Sequence, residues 1–163
     1  MSTPAPSTET ILISHSAEKT FSIGRTLALK HPEGACFYLE GDLGAGKTLL
    51  TKGIAAGYGV TPERVVSPTF ALVNRYSGGS RTVYHIDLYR VETERELAEL
   101  GLEELGEERR GDHEEGAPVI VVEWSEKIDA LGGYRRPHGV RVRLDVISGD
   151  QRQIRITEMN PRE

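Results

Sequence analysis

Apolar residues along this chain follow three patterns, and each predicts a different element. Two runs are almost unbroken: Ala35-Cys36-Phe37-Tyr38-Leu39 before Glu40, and Pro118-Val119-Ile120-Val121-Val122 before Glu123. Runs of that length suit strands buried on both faces, and the second is the most β-branched stretch of the chain. A strict alternation marks Val140 to Ile147, with Val140, Val142, Leu144 and Val146 on one face and Arg141, Arg143 and Asp145 on the other. Ser148-Gly149-Asp150 turns the chain, and Arg152 to Thr157 answers with Ile154 and Ile156, so the C-terminal part reads as an antiparallel hairpin.

Helical spacing appears over Ala17 to Lys30, where Phe21, Ile23, Leu27 and Ala28 recur, Ser14 or Ser16 offers a cap, and His31-Pro32 ends the segment. A second helix is predicted over Lys47 to Ala56, stopping near Gly57 and Gly59. A third is predicted over Glu92 to Leu100, with Leu102 and Leu105 continuing a broken helical stretch past Gly101. Thr10 to Ile13 reads as a short strand, and Thr61-Pro62-Glu63 as a helical turn. Ala71 to Tyr76 and Arg81 to Asp87 read as a hairpin around Gly78-Gly79. Residues 106–116, GEERRGDHEEG, read as a charged, solvent-exposed loop. The expected architecture is α/β, with antiparallel hairpins added to a parallel core.

Length and composition narrow this further. The 163 residues suit one domain, placed at 10–158, with a disordered tail over 1–9 and a short tail over 159–163. No secretory leader and no membrane-length apolar run is visible, which predicts a soluble, cytoplasmic protein. The net charge of −5 argues against a broad nucleic-acid surface, so nucleic-acid contact is expected to be local or made by a partner. Cys36 is the only cysteine and reads as a small core residue; the histidines show no metal-ligand spacing.

Between the first buried run and the second helix stands Gly41-Asp42-Leu43-Gly44-Ala45-Gly46-Lys47-Thr48, a complete G-x-x-x-x-G-K-[ST] phosphate-binding loop, followed by Leu49. Its glycines let the backbone turn tightly and present N–H groups to an anion; Lys47 reaches the terminal phosphates and the Thr48 hydroxyl is placed for Mg²⁺. Phosphoryl chemistry also needs an acid near the metal and a group that orients water. Glu123 ends the most β-branched strand, at the edge where ligands gather in α/β sheets, the position of a Walker B acid. His85 and Asp87 share one face of a strand. Asp87 is the candidate to position water or a metal-bound water; His85 either does the same or bonds within a turn. Tyr89 and Arg90 follow, and Arg90 either offsets phosphate charge or pairs with a surface acid. Ser67 and Thr69 place hydroxyls on a Pro-containing loop suited to sensing a γ-phosphate. Trp124, the only tryptophan, either packs over the site, faces a partner, or sits in the core.

GDLGAGKT (41–48), SPTF (67–70), YHIDLYR (84–90), ELGLEE (99–104) and VEW (122–124) occur here in the order found in the bacterial TsaE family, formerly YjeE, and the chain resembles that family from about Ile13 to Ile156. The phosphate loop alone is shared by many families; the other motifs, in this order, are far more specific. The resemblance implies a three-layer P-loop NTPase fold whose mostly parallel sheet carries antiparallel hairpins. It implies an ATPase of tRNA threonylcarbamoyladenosine biosynthesis, with ATP and Mg²⁺ as cofactors. Thr48 and Glu123 match the family's magnesium positions, Asp87 an acid needed for hydrolysis, and 67–70 a switch-like loop; Thr20 and Arg152 are the nearest matches to further nucleotide contacts. The implied partners are TsaB and TsaD, which carry out the transfer to tRNA, so tRNA is met through the complex. One departure is visible: 106–116 is longer than expected between the third helix and the VEW strand.

The cradle also fits a small-molecule or nucleotide kinase, with Arg109-Arg110 or Arg135-Arg136 as a lid, although no lid-helix pattern surrounds either pair. It fits a nucleotide-dependent binding module as well. A GTPase is disfavoured, because no N-K-x-D motif occurs.

Overall fold

The computed structural model describes residues 7–68, 70–110, 116–134, 136 and 138–159. Seven strands form one sheet in the order β1-β7-β6-β2-β5-β4-β3: β1 (Glu9–Ser14), β2 (Cys36–Glu40), β3 (Val73–Tyr76), β4 (Val83–Asp87), β5 (Val119–Glu123), β6 (Val140–Ser148) and β7 (Gln151–Glu158). The four central strands, β6-β2-β5-β4, run parallel, while β1–β7, β7–β6 and β4–β3 pair antiparallel at the two edges. Every residue of β2 and β5 is buried, which is why these two strands are unbroken apolar runs that turn acidic only at their last residue.

Helices cover both faces. On one lie α1 (Ala17–Leu29) and α2 (Lys47–Gly57), whose Ile23, Leu27, Leu50 and Ile54 pack on Phe37, Leu39, Val121 and Val142. On the other lie α3 (Glu94–Glu99), α4 (Leu102–Arg110) and α5 (Glu126–Leu131), whose Leu97, Leu102 and Ile128 pack on Tyr38, Ile86, Ile120 and Val122. Successive side chains of β2 and β5 alternate between the two cores, as the pleat requires, whereas β6 gives Val140, Val142 and Leu144 to the first core alone. The result is the three-layer α/β fold. Among the described residues no helix is long and apolar enough to cross a membrane.

Local chemistry sets the helix ends. The Ser16 hydroxyl accepts from Lys19 N and starts α1. Thr93 and Glu96 make a reciprocal capping box at α3. A 3-10 turn at Pro62–Arg64 stands where Pro favours one.

Five segments differ from the sequence expectation. Residues 106–110 are not loop: they complete α4, because Glu and Arg are good helix formers and Arg109 anchors the end by donating to Gly34 O and Pro118 O. Residues 111–115 of the same expected loop lie outside the described residues. Strand β3 begins at Val73 rather than Ala71, since Leu72 takes a left-handed φ of 63° that breaks the extended path. Helix α5 has no counterpart in the sequence reading; six residues span too few turns to show a period. Glu9, assigned to the N-terminal tail, instead opens β1 opposite Thr157. Met159, assigned to the C-terminal tail, donates its N–H to Gly139 O and packs on the second core. Residues 1–6 and 160–163 of those tails lie outside the described residues.

Candidate functional site

The phosphate loop connects β2 to α2 at the carboxyl edge of the parallel strands. It is shaped from its own sequence. Gly46 takes φ 105°, a left-handed value unsuited to residues with a Cβ, and stands as the N-cap of α2 without any side-chain cap bond. The first N–H groups of α2 are thus left to an external anion, reinforced by the helix dipole. Gly41 is fixed by crowding: a Cβ there would meet Leu144 O at 2.5 Å.

Lys47 folds back over this loop. Its Nζ donates to Gly41 O at 2.6 Å and Asp42 O at 2.8 Å, and sits 4.0 Å from the centroid of the Trp124 ring. Burial pushes the Lys47 ammonium below the usual lysine range, opposed by the negative charges of Glu123, Glu126, Asp87 and Asp42. Trp124 is neither in the core nor free on the surface. Its φ of 58° turns the ring back from the end of β5, where it covers Lys47 and lies 5.0 Å from the Tyr89 ring.

The acids come next. In the register of the parallel pair, Asp87 at the end of β4 stands opposite Glu123 at the end of β5. Glu123 is buried and fully engaged: Thr48 Oγ1 donates to its Oε2 at 3.2 Å, and Thr51 Oγ1 lies 3.1 Å from its Oε1. Asp87, also buried, accepts from the Ser67 hydroxyl at 3.0 Å and from Tyr89 N at 2.8 Å. The loop after the 3-10 turn is thereby tied across the mouth of the site to β4. Thr69, the second hydroxyl expected on that loop, lies outside the described residues.

His85 does not face the cleft. It is fully buried behind Glu123, with Nε2 3.1 Å from Glu123 Oε1 and Nδ1 3.3 Å from the Tyr76 hydroxyl. Direct contact with a bound water or metal-bound water, one of the roles open to it in the sequence, is therefore corrected to support of the acid. Arg90 is exposed and stacks on Phe70, its Cζ 4.4 Å from the ring centroid, so it does not line the site.

Together Leu43, Gly44, Gly46, Lys47, Thr48, Leu49, Ser67, Asp87, Tyr89, Glu123 and Trp124 line a cleft of about 320 Å³. A smaller cavity of about 70 Å³ opens on the other side of the phosphate loop, between Thr20, Arg152, Ser16 and Asp150, and Gly46 and Leu49 line both. Thr20 is buried there with its hydroxyl 2.8 Å from that of Ser14. Arg152 reaches from β7 to the loop backbone, donating from Nε to Ala45 O at 3.1 Å. Ala45 itself is buried beneath the loop.

Sequence reasoning missed three residues here. Thr51 lies one helical turn beyond Thr48, and that spacing is the one signal that pointed to it. Tyr76 was read only as the end of a strand. Glu126 opens α5, which was itself unseen; its Oε2 is buried without a partner, and burial raises its carboxyl above the ordinary range, helped by the charge of Glu40 and opposed by a bond from Gly41 N–H and by Lys47.

The donors at the centre of the cleft are hydroxyl and carboxylate oxygens, which suit a hard cation such as Mg²⁺. Among the described residues no three His, Cys, Asp or Glu side chains are grouped to hold a metal by themselves. Thr48 and Glu123 instead offer the two-ligand arrangement by which Mg²⁺ is held jointly with phosphates. The arginines considered as a kinase lid are occupied elsewhere. Arg109 is anchored on Gly34 and Pro118, and Arg136 donates to Ser125 O and Asp129 at 2.7 Å and lies 3.6 Å from Glu40. Arg135 and the Arg110 side chain lie outside the described residues.

Residues 14–154 match the family model described as threonylcarbamoyl adenosine biosynthesis protein TsaE. A tRNA threonylcarbamoyladenosine biosynthesis protein TsaE of Nostoc sp. is 38% identical over 147 residues, spanning 88% of this chain and 82% of the relative. The protein of the same name from Bacillus subtilis is 37% identical over 146 residues, 89% of this chain and 83% of the relative. The crystal structure of B. subtilis YdiB superposes with a TM-score of 0.72 at 29% identity, covering 97% of this chain and 90% of that one.

Proposed function

This chain belongs to the TsaE family, and on that premise we propose that it is a Mg²⁺-dependent ATPase that acts in the cytoplasm with TsaB- and TsaD-type partners in forming threonylcarbamoyladenosine on tRNA. The observation that carries this reading is the convergence of the Thr48 hydroxyl from the phosphate loop and the Glu123 carboxylate from β5 at 3.2 Å, with Asp87 beside them on β4. That is the donor set a nucleotide–Mg²⁺ complex needs.

In this reading the phosphates enter at the uncapped start of α2, bound by loop N–H groups. Lys47 exchanges the carbonyls of Gly41 and Asp42 for phosphate oxygens, a short swing since its Nζ already lies over the loop. Thr48 and Glu123 would hold Mg²⁺, and the ion's charge would offset that of the phosphates. Asp87 orients the attacking water, and Ser67, bonded to it, lets the loop report whether a γ-phosphate is present. Trp124 and Tyr89 exclude bulk water from Lys47. The nucleoside end runs past Gly46 and Leu49 towards Thr20 and Arg152. Threonylcarbamoyl transfer belongs to the partners, and tRNA is met through them, in keeping with a net charge of −5. The placement of Arg109 and Arg136 away from the cleft favours hydrolysis over phosphate transfer to a second nucleotide.

The test is ATP turnover with and without the partner pair, alongside threonylcarbamoyl transfer followed over several cycles. Slow turnover alone, faster turnover with the pair, and loss of hydrolysis with retained ATP binding in Asp87→Asn are expected. No effect of the pair on turnover, and none of this protein on repeated transfer, overturns the reading.

A further inference from the structure

Behind the acid of the cleft runs a line of buried polar groups. The imidazole of His85 has no exposed surface, so both ring nitrogens must find partners inside the protein. Glu123, as a carboxylate, has only lone pairs to offer, and its Oε1 lies 3.1 Å from His85 Nε2. Nε2 therefore carries a proton and donates it. In the neutral ring Nδ1 is then an acceptor, and the donor it faces is the Tyr76 hydroxyl at 3.3 Å.

That hydroxyl has a second acceptor. Val66 O lies 3.1 Å from Tyr76 Oη, while Val66 N and Asn74 Nδ2 each donate to the same oxygen at 3.3 Å. One O–H proton is thus shared between two acceptors: a ring nitrogen that supports Glu123, and a backbone carbonyl one residue before Ser67. Val66 O keeps Asn74 Nδ2 as another donor at 3.1 Å, so it tolerates losing the Tyr76 proton. Nδ1, with zero exposure, does not. Where Val66 sits accordingly decides how firmly His85 is held, and so how firmly Glu123 is held.

We propose that His85 is a positioning residue for the Glu123 carboxylate, and that through Tyr76 it makes the orientation of that carboxylate depend on the backbone at Val66, the entrance to the Ser67 loop. The proposal rests on the reading that Glu123 helps hold Mg²⁺. It adds a second route from loop to acid. Ser67 touches Asp87 directly across the mouth of the cleft, whereas Val66 reaches Glu123 from behind, through the buried interior. A loop that closes on a γ-phosphate would adjust both acids at once.

The test uses the full chain and Tyr76→Phe, which keeps the ring and removes the hydroxyl. The Mg²⁺ concentration giving half-maximal ATP binding, read from Trp124 fluorescence, is expected to rise about tenfold, as removal of outer-shell partners generally does. ATP binding without Mg²⁺ and the urea midpoint should stay close to wild type. In a His85→Gln background, where the amide still donates to Glu123 but the link to Tyr76 is gone, adding Tyr76→Phe should change the Mg²⁺ dependence no further. Unchanged Mg²⁺ dependence in Tyr76→Phe, or an equal effect of that substitution in both backgrounds, overturns the proposal. Should the wild-type chain bind no Mg²⁺-ATP, the functional reading fails. The ring-nitrogen resonances of His85 then decide the relay alone: an Nδ1 signal that moves on Tyr76→Phe and on displacing the loop with Pro68→Gly supports it, and one indifferent to either overturns it.

Discussion

Glu126 opens α5 two residues past Trp124, and its Oε2 is buried with no hydrogen-bond partner. Burial, helped by the neighbouring Glu40, raises its carboxyl above the ordinary 4.5, outweighing bonds from its own N–H and from Gly41 N–H and the attraction of Lys47. The sign of the consequence follows from linkage. In the window above 4.5 the folded chain holds this proton more tightly than the unfolded chain, so stability falls as pH rises through it. Glu126→Gln keeps an oxygen for Gly41 N–H and removes the charge. It should be more stable than wild type to urea near neutral pH, with the difference closing as pH falls below that window. A variant less stable near neutral pH would show that the pull of Lys47 on the charged form wins. Residue by residue, the candidate site was legible where chemistry is contiguous or ends a strand: the phosphate loop is one unbroken motif, and Glu123 follows four buried β-branched side chains. It was not legible where partners are distant. His85 and Glu123 are 38 positions apart, and only the alignment of β4 beside β5 brings them together.

Helices α1 and α2 pack by backbone approach rather than by interlocking large side chains. A Cβ at Gly53 would lie 2.1 Å from Phe21 O, one at Gly24 2.3 Å from Leu50 O, and one at Gly57 2.4 Å from Ala28 Cβ. Gly57 is therefore a packing residue as well as the last residue of α2, and Gly59, whose φ is 86°, follows the Tyr58 C-cap where the stop was expected. Closeness here matters for function because α2 carries Lys47, Thr48 and Thr51, while α1 carries Thr20 beside the same loop. Gly53→Ala gains about 1 kcal/mol of intrinsic helix preference. Against that, the new methyl meets main-chain atoms that cannot rotate away, and overpacking costs about 1–3 kcal/mol. The expected outcome is a net loss, seen as a lower urea midpoint with little change in slope; a midpoint at or above wild type would mean the helices separate freely. At this scale the strands were readable because burial on two faces or one leaves an unbroken or alternating run. The second half of α4 was misread and α5 was missed, for opposite reasons. The charge of α4 hides a good helix-forming composition, and α5 is too short to carry a period.

Across the whole molecule, the parallel strands bring the ends of β2, β4 and β5 to one edge, so the phosphate loop, Asp87 and Glu123 meet although they belong to three separate stretches of sequence. The antiparallel hairpin of β6 and β7 adds Arg152 against the loop from the other side, donating to Ala45 O. A ligand that spans these pieces binds the folded chain and not the unfolded one, so it must raise the melting temperature by mass action. At about 100 times its dissociation constant the gain is about 2.7 kcal/mol, which for a chain of this size corresponds to roughly 5–10 °C. On the proposed reading, ATP alone would engage the loop N–H groups and Lys47, and adding Mg²⁺ would bring in Thr48 and Glu123 and with them the second element, β5. The melting temperature with Mg²⁺ and ATP should therefore exceed that with ATP and a chelator. Thr48→Ala removes the hydroxyl that joins the loop to Glu123, and it should abolish that Mg²⁺-dependent increment while leaving the shift from ATP alone largely in place. An increment in Thr48→Ala equal to wild type would place the metal elsewhere, and a wild-type shift indifferent to Mg²⁺ would remove Glu123 from any role in holding it.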